Sequence, residues 1–323
     1  MREISYAQAI NEALHQMIGK DERISLIGQG VTSPWYVGAT TVGLFDRFGS
    51  QRIIDTPVSE NGVSGVAVGA ALAGMRPILT HPRMDFMYYA MDQIANSAAS
   101  WYYMFGGQIS VPLTIWGIIN RGGEQGAQHS QALQAMFAHI PGLKVVMPST
   151  PCDAKGLLIA SIEDDNPVVY IDDRWLYSDV GEVSDEIYSI PIGEAVVRRE
   201  GKDITVVATS YMALEASKAA ASLEKEGVDV EVIDIRSLKP LDENLLFESI
   251  GKTGRLVIAD AGWKTCGVGA ELGALVAEKA FSSLKAPIRR VSLPDVPAPA
   301  SSVLEKIYYP GARNIISAIT GLL

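Results

Sequence analysis

Two α/β domains, each built on a parallel sheet, are the fold class that this sequence predicts, and three observations lead to it. Short apolar segments alternate with helical segments along most of the 323 residues. The strand-like segments are apolar at successive positions rather than at every second one, as expected of strands covered on both faces. The alternation stops once, over the acidic stretch SDVGEVSDEIYSIPI at 178–192, and then resumes. A chain of this length is about twice an ordinary domain. The stop therefore reads as a linker between an α/β domain over 1–177 and a second α/β domain over 193–323.

The elements follow in order. Ser5 opens a capping box with Gln8, and Ala9, Ile10, Ala13, Leu14 and Met17 follow at helical spacing. Strands are expected over 24–27, 52–55, 77–80, 111–116, 143–147 and 167–171. Helices are expected over 61–74, 85–103, 129–139 and 151–163. The last has Thr150 as N-cap, Pro151 at the first helical position and Asp153 in the first turn. After the linker the expected order is strand 204–208, helix 212–225, strand 230–235, helix 242–252 and strand 255–259. A long helix over 268–283, a strand over 288–292 and a helical tail complete it.

Composition narrows the function classes. A net charge of −10 gives no basic face for counterion release, which excludes nucleic acid and anionic membrane as expected partners. Cys152 and Cys266 lie far apart with no metal-ligand spacing and read as reduced thiols. The opening MREISYAQAINEALHQ has neither an apolar signal core nor an Arg/Ser-rich transit pattern. The uncharged run at 93–120 is interrupted by Asn96, Ser97, Gly106, Gly107, Gln108 and Pro112, so no membrane span is expected there. A cytoplasmic protein is the expectation.

Two segments carry chemistry. Asp55-Thr56-Pro57-Val58-Ser59-Glu60-Asn61-Gly62 lies where a strand leaves the sheet and a Gly/Ala-rich helix begins, the position at which open α/β sheets bind ligands. Glu60 there is either a functional carboxylate or a complement to the helix dipole. Gly126-Ala127-Gln128-His129-Ser130-Gln131 follows a glycine-rich loop, and His129 is either a proton shuttle or a structural hydrogen-bonding group. No phosphate loop, Ser-His-Asp order or CxxC accompanies them.

Taken together the segments resemble the β subunit of the thiamine-diphosphate-dependent component of 2-oxo acid (pyruvate-type) dehydrogenase complexes, related to the pyrimidine-binding and C-terminal domains of transketolase. The resemblance runs nearly end to end. It is carried by DTPVSENG (55–62), AVGAALAGMRPI (67–78), MDQIANSAASWYYMFGGQ (91–108), GAQHSQ (126–131), AHIPGLKVVMPSTPCDAKGLL (138–158), VEVIDIRSLKPLD (230–242) and GWKTCGVGAELGALVAE (262–278). It implies that Glu60 hydrogen-bonds a ring nitrogen of the cofactor's aminopyrimidine, that Phe86 packs on that ring, and that Gln29 lies near it. It implies that His129 handles protons or guides acyl transfer. It also implies a structural monovalent cation, K+, held mostly by the carbonyls of Leu113, Ser161, Ile162, Asp164 and Asn166. The relatives bind the diphosphate and its Mg2+ through a Gly-Asp-Gly motif that does not occur in this sequence. The resemblance thus implies an α-type partner subunit carrying that motif, an α2β2 heterotetramer, and a lipoyl acyltransferase core as a further partner.

Three departures bear on the substrate. Gly28-Gln29-Gly30 stands where the family usually has one or two acidic residues. Thr80-His81-Pro82-Arg83 stands where it usually has an apolar pair, so His81 and Arg83 become candidates for binding a carboxylate, phosphate or sugar oxygens, the equal alternative being that Arg83 pairs with an acidic neighbour. Pro297-Ala298-Pro299-Ala300 lacks the aromatic of the family's tail. The expected activity is decarboxylation of a pyruvate-like 2-oxo acid with acyl transfer to lipoamide. The alternatives are a split transketolase or acyloin-forming carboligase moving a two-carbon unit, and a non-catalytic scaffold subunit.

Overall fold

Six largely buried strands form the centre of the first unit of the computed structural model, which describes residues 2–33 and 37–323. This unit comprises the chain up to Arg121 together with Met136–Ile192, and the second unit comprises Gly122–Ala135 together with Gly193–Leu323. The first contains β1 (Arg2–Ser5), α1 (Tyr6–Lys20), β2 (Ile24–Gly28), α2 (Leu44–Phe48), β3 (Ile53–Asp55), α3 (Glu60–Leu72) and β4 (Arg76–His81). Then come α4 (Ala99–Met104), β5 (Thr114–Ile119), α5 (Gln134–His139, whose first two residues belong to the second unit), β6 (Lys144–Val146), α6 (Pro151–Glu163), β7 (Val168–Asp173) and β8 (Val180–Val183). Six of these strands pair in parallel in the order β6-β7-β5-β4-β2-β3. Every residue of β2, β5 and β7 is buried, which accounts for their continuous apolar character.

The helices cover this sheet by the faces their sequences prescribe. α1 buries Tyr6, Ala9, Ile10, Ala13, Leu14, Met17 and Ile18, and its Ser5–Gln8 capping box forms as expected. α6 begins and ends where Thr150, Pro151 and Asp153 placed it, with the Thr150 side chain accepting from the Asp153 amide. α6 is buried nearly all round, and its Lys155 reaches Glu12 at 2.6 Å and the Ser184 carbonyl at 2.7 Å. A buried ammonium survives there because both partners satisfy it.

Two expectations change. The stretch 85–103 is not one α-helix: Met84–Ala90 is a 3-10 turn, Asp92–Ala98 a π-helix, and only Ala99–Met104 is α-helical. The stretch 178–192 is not purely a linker, because β8 within it pairs antiparallel with β1.

The second unit contains β9 (Val196–Arg199), β10 (Ile204–Ala208), α7 (Tyr211–Glu224), β11 (Val230–Asp234), β12 (Ser237–Lys239), α8 (Glu243–Thr253), β13 (Leu256–Trp263), α9 (Val268–Lys279), β14 (Arg289–Leu293), α10 (Ser302–Tyr308) and α11 (Ala312–Thr320). Its sheet order is β14-β13-β10-β11-β9, parallel except for the antiparallel edge strand β9. Ile204, Val206, Val232, Val257 and the alanines of α7 form its core, closed by Ile315 and Ile319 of α11. Among the described residues no helix is long and apolar enough to cross a membrane.

Candidate active site

The strand order of the first unit creates a crevice before any side chain is considered. The chain leaves β2 for β3 on one side and then returns to β4 on the other, so β2 and β4 flank a switch point. Register brings the three strand ends level, with Gly28 opposite Asp55 of β3 and Thr80 of β4. A small cleft opens there. Gln29 lines it from the end of β2, and Thr56, Pro57, Ser59, Glu60 and Val63 from the β3–α3 connection. Thr80, His81, Pro82, Arg83 and Phe86 line it from the end of β4.

The backbone around the cleft is tightly specified. A Cβ on Gly28 would sit 2.6 Å from the Thr80 carbonyl oxygen, so only glycine lets β2 and β4 close at this level. Asp55 then organises the turn after β2, accepting from the Gly30 amide at 2.9 Å and from the Thr32 hydroxyl. Gly30 has φ +70°, the left-handed region that suits glycine. This turn carries Gln29 to the cleft wall.

Glu60 is the first residue of α3 and is half-buried. Its position at a helix N-terminus stabilises the carboxylate. No hydrogen bond or ion pair engages that carboxylate among the described residues, so the group remains available to a ligand. On the opposite wall His81 is only 3% exposed, and its Nε2 has no partner. Burial pushes its pKa down to about 4, so the imidazole is neutral near pH 7 and carries a single N–H. The Thr80 hydroxyl is likewise buried and unpartnered. Leaving two such groups unpaired costs about 1–3 kcal/mol each. In a cleft wall the cost has a use, since an occupant can supply the missing partners. Arg83 donates from one terminal nitrogen to the Pro82 carbonyl at 2.8 Å. Phe86 presents an aromatic face, stacked on Tyr89 at 6.5 Å between centroids.

His129 belongs to the second unit and is described there by itself. It lies in a turn, its amide donating to the Gly126 carbonyl, and the helix expected over 129–139 starts only at Gln134. The second unit has its own switch point, between β10 and β13. That place is filled by the segment bearing His129: Gln134 Nε2 donates to Asp260 Oδ1 at 2.8 Å, and the Thr209 hydroxyl donates to the same oxygen at 2.8 Å. A Cβ on Gly262 would lie 2.8 Å from Gln134 Nε2, so β13 approaches the segment through a glycine. The other end is tied to the C-terminal tail, where the Glu124 amide donates to Glu305 at 3.0 Å and the Ser302 amide donates to Glu124 at 3.2 Å.

The expected cation ligands gather at the amino ends of the strands of the first unit, away from the cleft. The Ile162 and Asp164 carbonyls each accept from Arg76 at 3.0 Å. The Ser161 carbonyl accepts from the Thr114 hydroxyl at 3.0 Å, and the Leu113 carbonyl from the Val168 amide at 3.0 Å. Asn166 Oδ1 is buried and has no partner. Oxygen donors of this kind suit a hard cation, and each bonded carbonyl keeps a second lone pair. The Arg76 guanidinium already satisfies part of the cluster. Among the described residues no group of three or more His, Cys, Asp or Glu forms a metal site.

Of the residues singled out from the sequence, Gln29, Glu60, His81, Arg83 and Phe86 line one cleft. Sequence reasoning missed Thr80 as an unpaired wall hydroxyl and Asp55 as the organiser of the Gln29 turn. Both open segments that were singled out, but only strand register brings them level with Gly28.

Residues 2–178 match the transketolase pyrimidine-binding domain family, and residues 193–315 match the transketolase C-terminal domain family. The chain is 43% identical to the β subunit of acetoin:2,6-dichlorophenolindophenol oxidoreductase of Bacillus subtilis, over 100% of this chain and 98% of the relative. It is 42% identical to the mitochondrial pyruvate dehydrogenase E1 β subunit of Dictyostelium discoideum, over 98% of this chain and 90% of that one. Among solved structures, a split-gene transketolase captured as an inactive β4 tetramer superposes with a TM-score of 0.83 at 25% identity, covering 99% and 98% of the two chains.

Proposed function

The chain belongs to the transketolase-like β subunits of thiamine-diphosphate-dependent 2-oxo acid dehydrogenases, and from that premise we propose that its first unit supplies the pyrimidine-binding half of a shared active site. The observation that carries this reading is the cleft itself: a carboxylate with no protein partner on one wall, two unpaired buried polar atoms on the other, and an aromatic face beside them. An aminopyrimidine is flat, apolar on its faces and rich in donors and acceptors at its edge, which suits these walls. When bound, thiamine diphosphate supplies the nucleophilic carbon and the electron sink that decarboxylation of a 2-oxo acid requires. Glu60 accepts or shares a proton at its carboxylate oxygen with the ring edge. Phe86 packs on the ring face and keeps water from it, and Gln29 hydrogen-bonds at the rim. His129 moves a proton on or off the reacting oxygen, a task for which an imidazole has both a donor and an acceptor nitrogen.

The partner is an α-type subunit that holds the diphosphate and Mg2+, in an α2β2 assembly. Full-length similarity to proteins named as β subunits supports this. The exposed side chains of Tyr88, Tyr89, Tyr103 and Met104 offer a large apolar surface for such a contact. K+ at the carbonyls of Leu113, Ser161, Ile162, Asp164 and Asn166 is a structural element of this reading, supported by the unpaired Asn166 oxygen. A lipoyl acyltransferase core receives the acyl group, and the protein works in the cytoplasm.

A second reading, transfer of a two-carbon unit to an aldehyde or keto-sugar, is favoured by the cation and imidazole in the cleft and by the likeness to a split transketolase. One experiment separates the two. The chain co-purified with its α-type partner, thiamine diphosphate and Mg2+ is given pyruvate. Reduction of an artificial electron acceptor and acetylation of a lipoyl domain are expected of a dehydrogenase. Acyloin formation with added aldehydes, without lipoyl acetylation, would replace it by the carboligase.

A further inference from the structure

We propose that Arg83 and His81 form an oxyanion subsite in this cleft, which selects a reactant carrying a second, non-reacting carboxylate or phosphate. The proposal rests on the cleft being the reaction site and names the class of reactant it takes. His81 ends β4 and Arg83 follows two residues later, and both line the cleft with Glu60. The Arg83 guanidinium carries five N–H donors in one plane, a geometry that meets carboxylate and phosphate two bonds at a time. Its bond to the Pro82 carbonyl orients that plane. His81 Nε2 and the Thr80 hydroxyl are buried without partners on the same wall. Burial keeps His81 neutral, so it serves as a hydrogen-bonding group while Arg83 supplies the charge.

The anion recognised is one that stays. A guanidinium clamped on the carboxylate that leaves as CO2 would stabilise the ground state and oppose its departure. A cation here is therefore suited to a spectator group on a longer 2-oxo acid or on an acceptor. Among the residues lining the cleft, Glu60 is the carboxylate and Arg83 the guanidinium. Without Arg83 an anionic reactant would face Glu60 alone, so its removal penalises charged reactants well beyond the loss of one hydrogen bond.

The test uses the co-purified assembly with two reactant pairs that differ in the spectator anion. One pair is 2-oxoglutarate against 2-oxobutanoate; the other is glyceraldehyde 3-phosphate against glyceraldehyde as acceptor, with pyruvate as donor. The wild type is expected to favour the charged member of at least one pair, and which pair separates a carboxylate from a phosphate. Arg83→Met should lower the charged-to-neutral ratio of kcat/KM about 30- to 100-fold, Arg83→Lys less, and His81→Phe about 3- to 10-fold. A wild-type preference for the neutral member of both pairs, or a uniform loss in Arg83→Met, would overturn the subsite. Binding of malonate and inorganic phosphate to the cofactor-free assembly, read from the His81 ring nitrogen resonances, decides the matter even if no reactant turns over. A shift lost in Arg83→Met supports the subsite, and no shift with either anion rejects it. Failure of thiamine diphosphate to bind while these anions do would count against the cofactor reading alone.

Discussion

The two units of this chain each contain a parallel sheet with a switch point, yet they use it in opposite ways. In the first unit the crevice between β2 and β4 stays open and is walled by polar groups without partners. In the second unit the corresponding place, between β10 and β13, is filled by the chain's own segment 122–135, with Gln134 and Thr209 satisfying Asp260. The same topology thus leaves an open cleft in one unit and, in the other, a place where the chain's own segment is anchored on a buried carboxylate. In the second unit that anchor holds the segment bearing His129.

The largest expected effect lies in the open crevice. Glu60→Gln keeps the size of the side chain and removes its capacity to take a proton, so turnover by the assembled enzyme should fall by about 10²-fold or more, with an unchanged melting temperature. Steady-state kinetics beside calorimetry checks this, and near-normal turnover would sink the assigned role. The filled crevice should respond in stability. Asp260 is 1% exposed and accepts two buried hydrogen bonds, so Asp260→Ala strands Gln134 and Thr209 at a cost of about 2–4 kcal/mol. A denaturant melt that shows less than about 1 kcal/mol would mean the segment is held otherwise.

A pH series sharpens the contrast between paired and unpaired groups. Burial raises the Asp172 pKa to about 7, with a hydrogen bond from the Tyr177 hydroxyl opposing the rise. An acid whose folded pKa is raised binds more protons folded than unfolded, so its contribution to stability falls as pH climbs from about 4 to about 7. The buried His81, with its folded pKa lowered to about 4, acts in the opposite sense between about 4 and 6.5. Asp172→Asn should therefore steepen the gain in stability with rising pH across this range, by a few kcal/mol over its span. Parallel curves for the two proteins would contradict the assignment. The smallest effect is expected of Gly28→Ala, which forces a methyl against the Thr80 carbonyl and should cost about 1–3 kcal/mol. It should also weaken cofactor binding, because Thr80 is a cleft wall, and titration of thiamine diphosphate into the assembled variant checks that.

How much of this was legible in the sequence depends on the range of the interactions involved. α6 was placed to the residue because Thr150, Pro151 and Asp153 state its start locally. The stretch 85–103 read as one helix because aromatic and alanine spacing does not report whether amides bond three, four or five residues back. β8 was hidden in an acidic stretch because an edge pairing with β1 needs little apolar character. The lining of the cleft was legible where motifs surround it, at Glu60, Phe86, His81 and Arg83. The attachment of residues 122–135 to the second unit was not, because it depends on Asp260 and Glu305, 126 and 181 residues further along.

The most direct test of the central claim, that this chain holds the pyrimidine half of a shared site, is calorimetric titration of thiamine diphosphate with Mg2+ into three samples. These are the chain alone, its co-purified assembly with the α-type partner, and that assembly carrying Glu60→Gln. Tight binding to the wild-type assembly, little or none to the chain alone, and binding weakened about tenfold or more in Glu60→Gln is the expected result. Tight binding and turnover by the isolated chain, or undiminished binding in the Glu60→Gln assembly, would contradict it.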